Sequence, residues 1–222
     1  MSEAALSHTI VVMVTSIDYD QQITPSFRTP FAEPMCAGVI ISKGKKLLFS
    51  LADENRWRKI DGILQIPLAG IGGGQEIDES FVDCALREAD EEIGCTVNLL
   101  HSPVTYMQDE LGYISEARLE ELPAPLFYQR TKRKSNEPIL HIANFRARAI
   151  GQPEPKDVPG IVYVSPKYLA AFQKGIAIKD LEELEAVITL RDKIEGDAQV
   201  IVDPDSHEEF IMKCYEQFTI QW

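Results

Sequence analysis

Between Gly72 and Cys95 the chain reads GGGQEIDESFVDCALREADEEIGC, with eight acidic side chains from Glu76 to Glu92 directly after a run of glycines. Like charges at helical spacing weaken a helix by a few tenths of a kcal/mol per pair, so this crowding demands a counter-charge or a function. On a helical projection of residues 80 to 93, Val82, Leu86, Ala89 and Ile93 fall in one narrow arc, the spacing of a core-facing stripe. Glu88, Glu91 and Glu92 then gather on the opposite side within one turn. A solvated acidic face normally interleaves Lys at i+4, and here Arg87 alone is available. Three converging carboxylates suit a hard cation instead, Mg²⁺ or Mn²⁺, whose remaining positions are filled by water and phosphate oxygens. The alternating Asp/Asn ligands and mid-loop glycine of a calcium EF-hand are absent.

Gly72, Gly73 and Gly74 permit a close approach of backbone amides and carbonyls to a metal or an anion, and equally a tight turn out of a strand. A P-loop would need Gly-Lys-Ser/Thr, and a dinucleotide fingerprint starting at Gly70 would need Gly or Ala where Gln75 stands. Neither fits.

Gly73, five residues, Glu79, seven residues, then Arg87-Glu88-Ala89-Asp90-Glu91-Glu92-Ile93-Gly94-Cys95 resembles the Nudix box, G-x5-E-x7-R-E-U-x-E-E-x-G-U, at every fixed position. Ala89 and Cys95 depart mildly from the bulky aliphatic residues preferred at U. The resemblance implies an α/β fold, a Nudix-like α/β/α sandwich with a mixed sheet. It also implies metal-dependent hydrolysis of a diphosphate linkage in a nucleoside diphosphate joined to another moiety, such as a nucleotide sugar or dinucleoside polyphosphate. By the same resemblance Glu91 and Glu92 are metal ligands, and Glu88 is a ligand or the base that activates water. The Gly72 carbonyl is a further ligand, Glu79 an auxiliary metal contact, and Arg87 orients the glutamates. A base from a later loop is the other possibility, with Glu137, Glu154 and Asp157 as candidates. An inactive nucleotide-sensing or scaffold module is the alternative function, but such a module usually lacks one of these acids.

The net charge of -13, from 35 acidic and 22 basic residues, opposes stable binding to nucleic acid or an anionic membrane. A small-molecule nucleotide or pyrophosphate must therefore be met locally. QRTKRK, residues 129 to 134, is the one basic cluster, and Arg130, Lys132 and Arg133 are its candidate phosphate contacts; a solvated hairpin tip is the simpler reading. Trp57, Phe127, Tyr128 and His141 read as structural before they read as ligand contacts, and Tyr113 is a weak pointer to dinucleoside polyphosphates. Four cysteines without a C-x-x-C pair, and an N-terminus without a basic and then long apolar stretch, give the expectation of a reduced, cytoplasmic protein.

Residues 8 to 17 read as a strand in an N-terminal extension (1–35), packed on or swapped with the hydrolase domain (36–222), which carries additions from about residue 165. An apolar strand needs a partner, within its own chain or in a second copy, so a homodimer is one expectation. A hairpin is expected over 36–52 around the Lys-Gly turn, and an extended segment at GILQIPLAG. Further strands are expected at 95–107, 124–130, 138–149 and 160–164, with helices at 166–174, 180–194 and 206–218.

Overall fold

A computed structural model describes residues 25–132, 136–204, 206–218 and 220. The expected strand at 8–17 and Arg133 lie outside the described residues. The first hairpin pairs β1 (Met35–Lys43) with β2 (Lys46–Leu51) across Gly44, whose φ of 62° suits the tight turn. β3 (Arg58–Ile60), β4 (Ile63–Ala69) and β5 (Ile71–Gly74) lead into α1 (Phe81–Ile93). Then come β6 (Val97–Leu100), β7 (Thr105–Gln108), β8 (Ile114–Ala117), β9 (Phe127–Thr131), β10 (Leu140–Ala149) and β11 (Gly160–Val164). The C-terminal part adds α2 (Leu169–Phe172), β12 (Ile176–Ala177), β13 (Val187–Leu190), β14 (Gln199–Ile201) and α3 (His207–Gln217).

The strands join in the order β12-β14-β4-β2-β1-β10-β9-β7-β8, with β5 also on β1, β6 on β10, β3 on β4, and β11 between β2 and β13. The sheet is mixed: β1–β10, β4–β14 and β7–β9 run parallel among otherwise antiparallel pairs. Side chains alternate along a strand, so a sheet buried on both faces needs unbroken apolar runs. In β1, Val39 and Ile41 join one core and Ile40 the other; in β2, Leu48 faces the first core while Leu47, Phe49 and Leu51 face the second. The first core is covered by α1 through Phe81, Cys84, Ala85, Ala89 and Ile93. The second is covered by Leu169 and Phe172 of α2 and by Phe210, Ile211 and Cys214 of α3. Helices therefore cover both faces, an α/β/α arrangement.

Two expectations are corrected. Residues 180–194 do not form a helix: a 3₁₀ turn at Ile178–Leu184 ends where Glu185 adopts a left-handed φ of 56°, and β13 then pairs antiparallel with β11. The β-branched Val187, Ile188 and Thr189 gain a ladder there that a helix cannot offer. The segment 95–107 is two strands, broken around Pro103, with β6 on β10 and β7 on β8 and β9. Among the described residues no helix is long and apolar enough to cross a membrane, and all four cysteines are free thiols.

Candidate active site

Helix α1 is set at both ends by local chemistry. Ser80 caps the N-terminus, accepting from the Asp83 N–H at 3.1 Å and donating to the Asp83 carboxylate at 2.6 Å. Gly94, at φ 60°, closes the C-terminus, its N–H donating to Asp90 O at 3.1 Å. The last turn carries Glu91 and Glu92 and no basic residue, against the preference of a helix C-terminus for positive charge. Local stability does not account for those acids.

The buried face of α1 differs from the projected stripe. Ala89 and Ile93 are buried, but Val82 is half-buried and Leu86 is exposed; Cys84 and Ala85 take their place. The face turned to the sheet thus runs through Cys84, Ala85 and Ala89, and it brings Glu88 and Glu92 alongside β5 rather than out into solvent.

β5 is built to receive them. Gly38 and Gly72 are paired across β1 and β5, and a Cβ at Gly38 would lie 2.2 Å from Ile71 O, so only glycine permits this approach of the two backbones. At Gly73 a Cβ would lie 2.4 Å from a Glu88 carboxylate oxygen, so the space a side chain would take is held by Glu88. The Gly72 N–H donates to Glu92 at 3.0 Å.

Arg87 ties the remaining acids together. Its Nε and Nη2 donate to the two carboxylate oxygens of Glu79, each at 2.9 Å, a bidentate pair. Nη1 donates to Glu88 at 2.7 Å and to Glu91 at 2.9 Å, and Nη2 also donates to Gly74 O at 2.8 Å. Burial alone would raise the Glu79 carboxyl, but its bonds from Arg87 and from the Glu76 N–H hold it below its ordinary value. Glu88 is raised, first by burial and then by the charges of Glu91 and Glu79, against the lowering effect of Arg87. Glu92 is pushed up to about 8, first by burial and then by the charges of Glu88, Asp53 and Asp157, against the lowering bond from Gly72. Asp53, just after β2, was not singled out by the sequence, because nothing local marks it.

In this arrangement Glu88, Glu91 and Glu92 do not converge as the projection had them. Arg87 bridges Glu88 and Glu91 while Glu92 turns to Gly72, and among the described residues no three Asp, Glu, His or Cys side chains are grouped to hold a metal ion. The donor chemistry nevertheless fits a hard divalent cation: all the donors are oxygens, and Glu92 is a half-buried carboxyl among like charges. Of the later-loop acids, Asp157 is the one whose charge acts on Glu92. Glu154 sits where its N–H donates to Ile93 O at the end of α1, and Glu137 lies in the β9–β10 connection.

The other side of β5 faces a cavity of about 1000 Å³. Its walls are Gly70–Gly74, the β7–β8 loop from Gln108 to Gly112, residues 129–132 on and after β9, and the start of α3 from Ser206 to Phe210. Arg130 and Lys132 line it, with Arg130 paired to Glu110 at 2.6 Å. In β5 only Ile71 carries a side chain; its glycines line the cavity, and at Gly73 the same backbone abuts the Glu88 carboxylate. The aromatic candidates fall elsewhere. Trp57 donates to Ala52 O at 2.6 Å and packs on the second core, and Phe127 is buried in it. The buried Tyr128 hydroxyl lies 2.6 Å from His141 Nδ1, and Tyr113 is exposed beside a smaller cavity.

No protein-family model matches the sequence, and no curated protein matches it. Solved structures align over part of the chain. A NUDIX-family hydrolase from Clostridium perfringens aligns at 15% identity, covering 64% of this chain and 87% of that one, with a TM-score of 0.42. A NUDIX hydrolase from Nitrosomonas europaea aligns at 16% identity over 64% of this chain and 79% of that one, TM-score 0.42. An ADP-ribose pyrophosphatase from Streptococcus suis aligns at 15% identity over 61% and 76%, TM-score 0.36. At scores this low the likeness carries no argument of its own; the residues around Arg87 and β5 bear the weight.

Proposed function

We propose that the chain is a Nudix hydrolase that cleaves the diphosphate linkage of a nucleoside diphosphate joined to another moiety, with Mg²⁺ or Mn²⁺. The observation that carries this reading is the set of bonds made by Arg87 to Glu79, Glu88, Glu91 and the Gly74 carbonyl, beside a Glu92 carboxyl held on the Gly72 N–H. A purely structural helix has no use for two acids in its last turn, one of them part-buried against a strand backbone. Glu88, Glu91 and Glu92, with the Gly72 carbonyl, would hold the cation. When bound, it supplies neutralisation of phosphoryl charge that otherwise repels the water nucleophile.

The chain's own residues do the rest. Arg87, anchored by Glu79, neutralises Glu88 and Glu91 and holds them on the α1 turn next to Glu92, from which a bound cation would draw the three together. Glu88, its carboxyl raised by burial, is the base we assign to the attacking water, and Asp157 is the later-loop candidate for the same task. The cavity beyond β5 receives the substrate, with Arg130 and Lys132 as phosphate contacts.

The test is a screen of nucleotide sugars, dinucleoside polyphosphates and nucleoside triphosphates with Mg²⁺ or Mn²⁺, run in ¹⁸O-water. Label is expected on a phosphate product, with turnover abolished by excess chelator. Full turnover in chelator, or label on a sugar or base carbon alone, would overturn the reading, and silence across the panel would favour a sensing module.

A further inference from the structure

The end of α1 that carries Glu91 and Glu92 is closed by a distant part of the chain. A helix leaves its last carbonyls without partners of its own, and something else must bond them. Here the β10–β11 connection does so: the Glu154 N–H donates to Ile93 O at 3.1 Å and the Lys156 N–H to Glu92 O at 2.9 Å. Lys156 Nζ also donates to Asp90 O at 3.2 Å and lies 3.7 Å from the Asp90 carboxylate. That ammonium brings to the helix end the positive charge which the last turn itself lacks. Val158 sinks into the first core, so Asp157, the later-loop candidate base, stands between two anchored residues.

The connection is held in turn from the C-terminal addition. β13 pairs with β11 so that Leu190 lies opposite Gly160, and the next residue, Arg191, falls beside Pro159. Its N–H donates to Pro159 O at 2.9 Å, and the Asp192 N–H donates to the same oxygen at 3.2 Å. The Arg191 guanidinium is fixed by Asp192, to whose carboxylate Nε and Nη2 donate at 3.0 and 2.7 Å, and Nη1 reaches Lys156 O at 2.5 Å. Lys156 is therefore held through three polar groups, its N–H and ammonium on α1 and its carbonyl on Arg191. The Arg191 side chain is 40% exposed, so these bonds add little to global stability and act on placement.

We propose that Arg191 is a positioning residue for the cation site: through Lys156 it holds the β10–β11 connection on the end of α1, and so keeps Glu91, Glu92 and Asp157 in place. The inference rests on the diphosphate reading above and makes the C-terminal addition a working part of the same site. Without the bond to Lys156 O, the connection lifts more often from α1, the last turn frays, and carboxylates that must meet at one ion are spread over more positions.

The test compares the full chain with Arg191→Leu and Arg191→Lys. Lysine keeps a donor for the Lys156 carbonyl but loses the fork on Asp192. Calorimetric titration with Mn²⁺ alone reads the cation, hydrogen exchange reads residues 89–95 and 150–159, and melting reads global stability. Arg191→Leu is expected to weaken Mn²⁺ binding about fivefold and to speed exchange in both segments by a similar factor, with a melting shift below about 2 °C. Arg191→Lys should recover most of the Mn²⁺ affinity. On any diphosphate that is turned over, Arg191→Leu should lower kcat about fivefold at saturating Mg²⁺ and leave KM nearly unchanged. Unchanged Mn²⁺ affinity in Arg191→Leu, whatever exchange does, would overturn the inference, and so would a loss that lysine does not restore. Wild-type turnover and Mn²⁺ binding that neither variant alters would sink this inference and leave the hydrolase reading standing. Mn²⁺ binding weakened by Arg191→Leu in a protein that turns over no diphosphate would do the reverse, and a wild type with neither Mn²⁺ binding nor turnover would sink both.

Discussion

Glu92→Gln separates the electrostatic cost of the site from its chemistry. The Glu92 carboxyl is pushed from its ordinary 4.5 up to about 8, first by burial and then by Glu88, Asp53 and Asp157. Because the folded-state value is raised, the native protein binds the proton more tightly than the unfolded chain. The stability tied to that proton is fully present below pH 4.5 and is lost as pH rises through about 8. At ~1.4 kcal/mol per pH unit, the metal-free protein at pH 7 bears a cost of up to about 3 kcal/mol from this one group. Glutamine stays neutral, has similar size, and its carbonyl oxygen still accepts from the Gly72 N–H, whose bond to Glu92 is 3.0 Å. Urea unfolding in chelator from pH 4.5 to 8 should show variant and wild type nearly equal at the acid end. The variant should then gain steadily, by about 2–3 kcal/mol at pH 7. Saturating Mg²⁺ should narrow the gap by stabilising the wild type, by about 3 kcal/mol at a hundredfold excess over Kd. A difference that stays flat with pH, or a variant less stable at every pH, would refute the reasoning and assign Glu92 a structural bond instead.

Arg87→Lys keeps the positive charge but cannot reproduce the fork on Glu79 together with the bonds to Glu88 and Gly74 O. The cost is expected at about 2 kcal/mol, a fall in melting temperature of about 4–8 °C. Exposed Glu91 adds little to it, and a fall below about 1 °C in calorimetry would show that Arg87 holds nothing in place. Gly73→Ala puts a methyl 2.4 Å from a Glu88 oxygen, so Glu88 must swing away while the backbone stays put. Turnover should drop more than about tenfold, with stability changed by less than about 1 kcal/mol, and unchanged turnover would remove Glu88 from the chemistry.

Sequence by itself determined what depends on neighbours a few residues apart. Ser80 three residues before Asp83, and a glycine after Ile93, mark the ends of α1 because capping is a local hydrogen-bonding problem. The Lys-Gly turn and the apolar runs beside it mark the first hairpin because strand burial writes itself into alternation. The spacing of Gly73, Glu79, Arg87, Glu88, Glu91 and Glu92 placed those residues within reach of one another for the same reason.

Tertiary structure decided the rest. Helical projection set Glu88 and Glu92 opposite the core, but the sheet is approached through glycines, and a backbone without side chains leaves room for those carboxylates beside it. Leu86, apolar and in the projected stripe, is exposed because the sheet meets α1 along Cys84 and Ala85 instead. Residues 187–190 became a strand because β11 offered a free edge, which outweighed the helix-forming Glu and Leu before them. Arg191 carried no signal at all: in a stretch that reads as helix, an arginine beside an aspartate reads as a solvated pair. Only the pairing of β13 with β11 sets it on the Lys156 carbonyl, 35 residues away in sequence, because a strand ladder joins residues that no local rule relates.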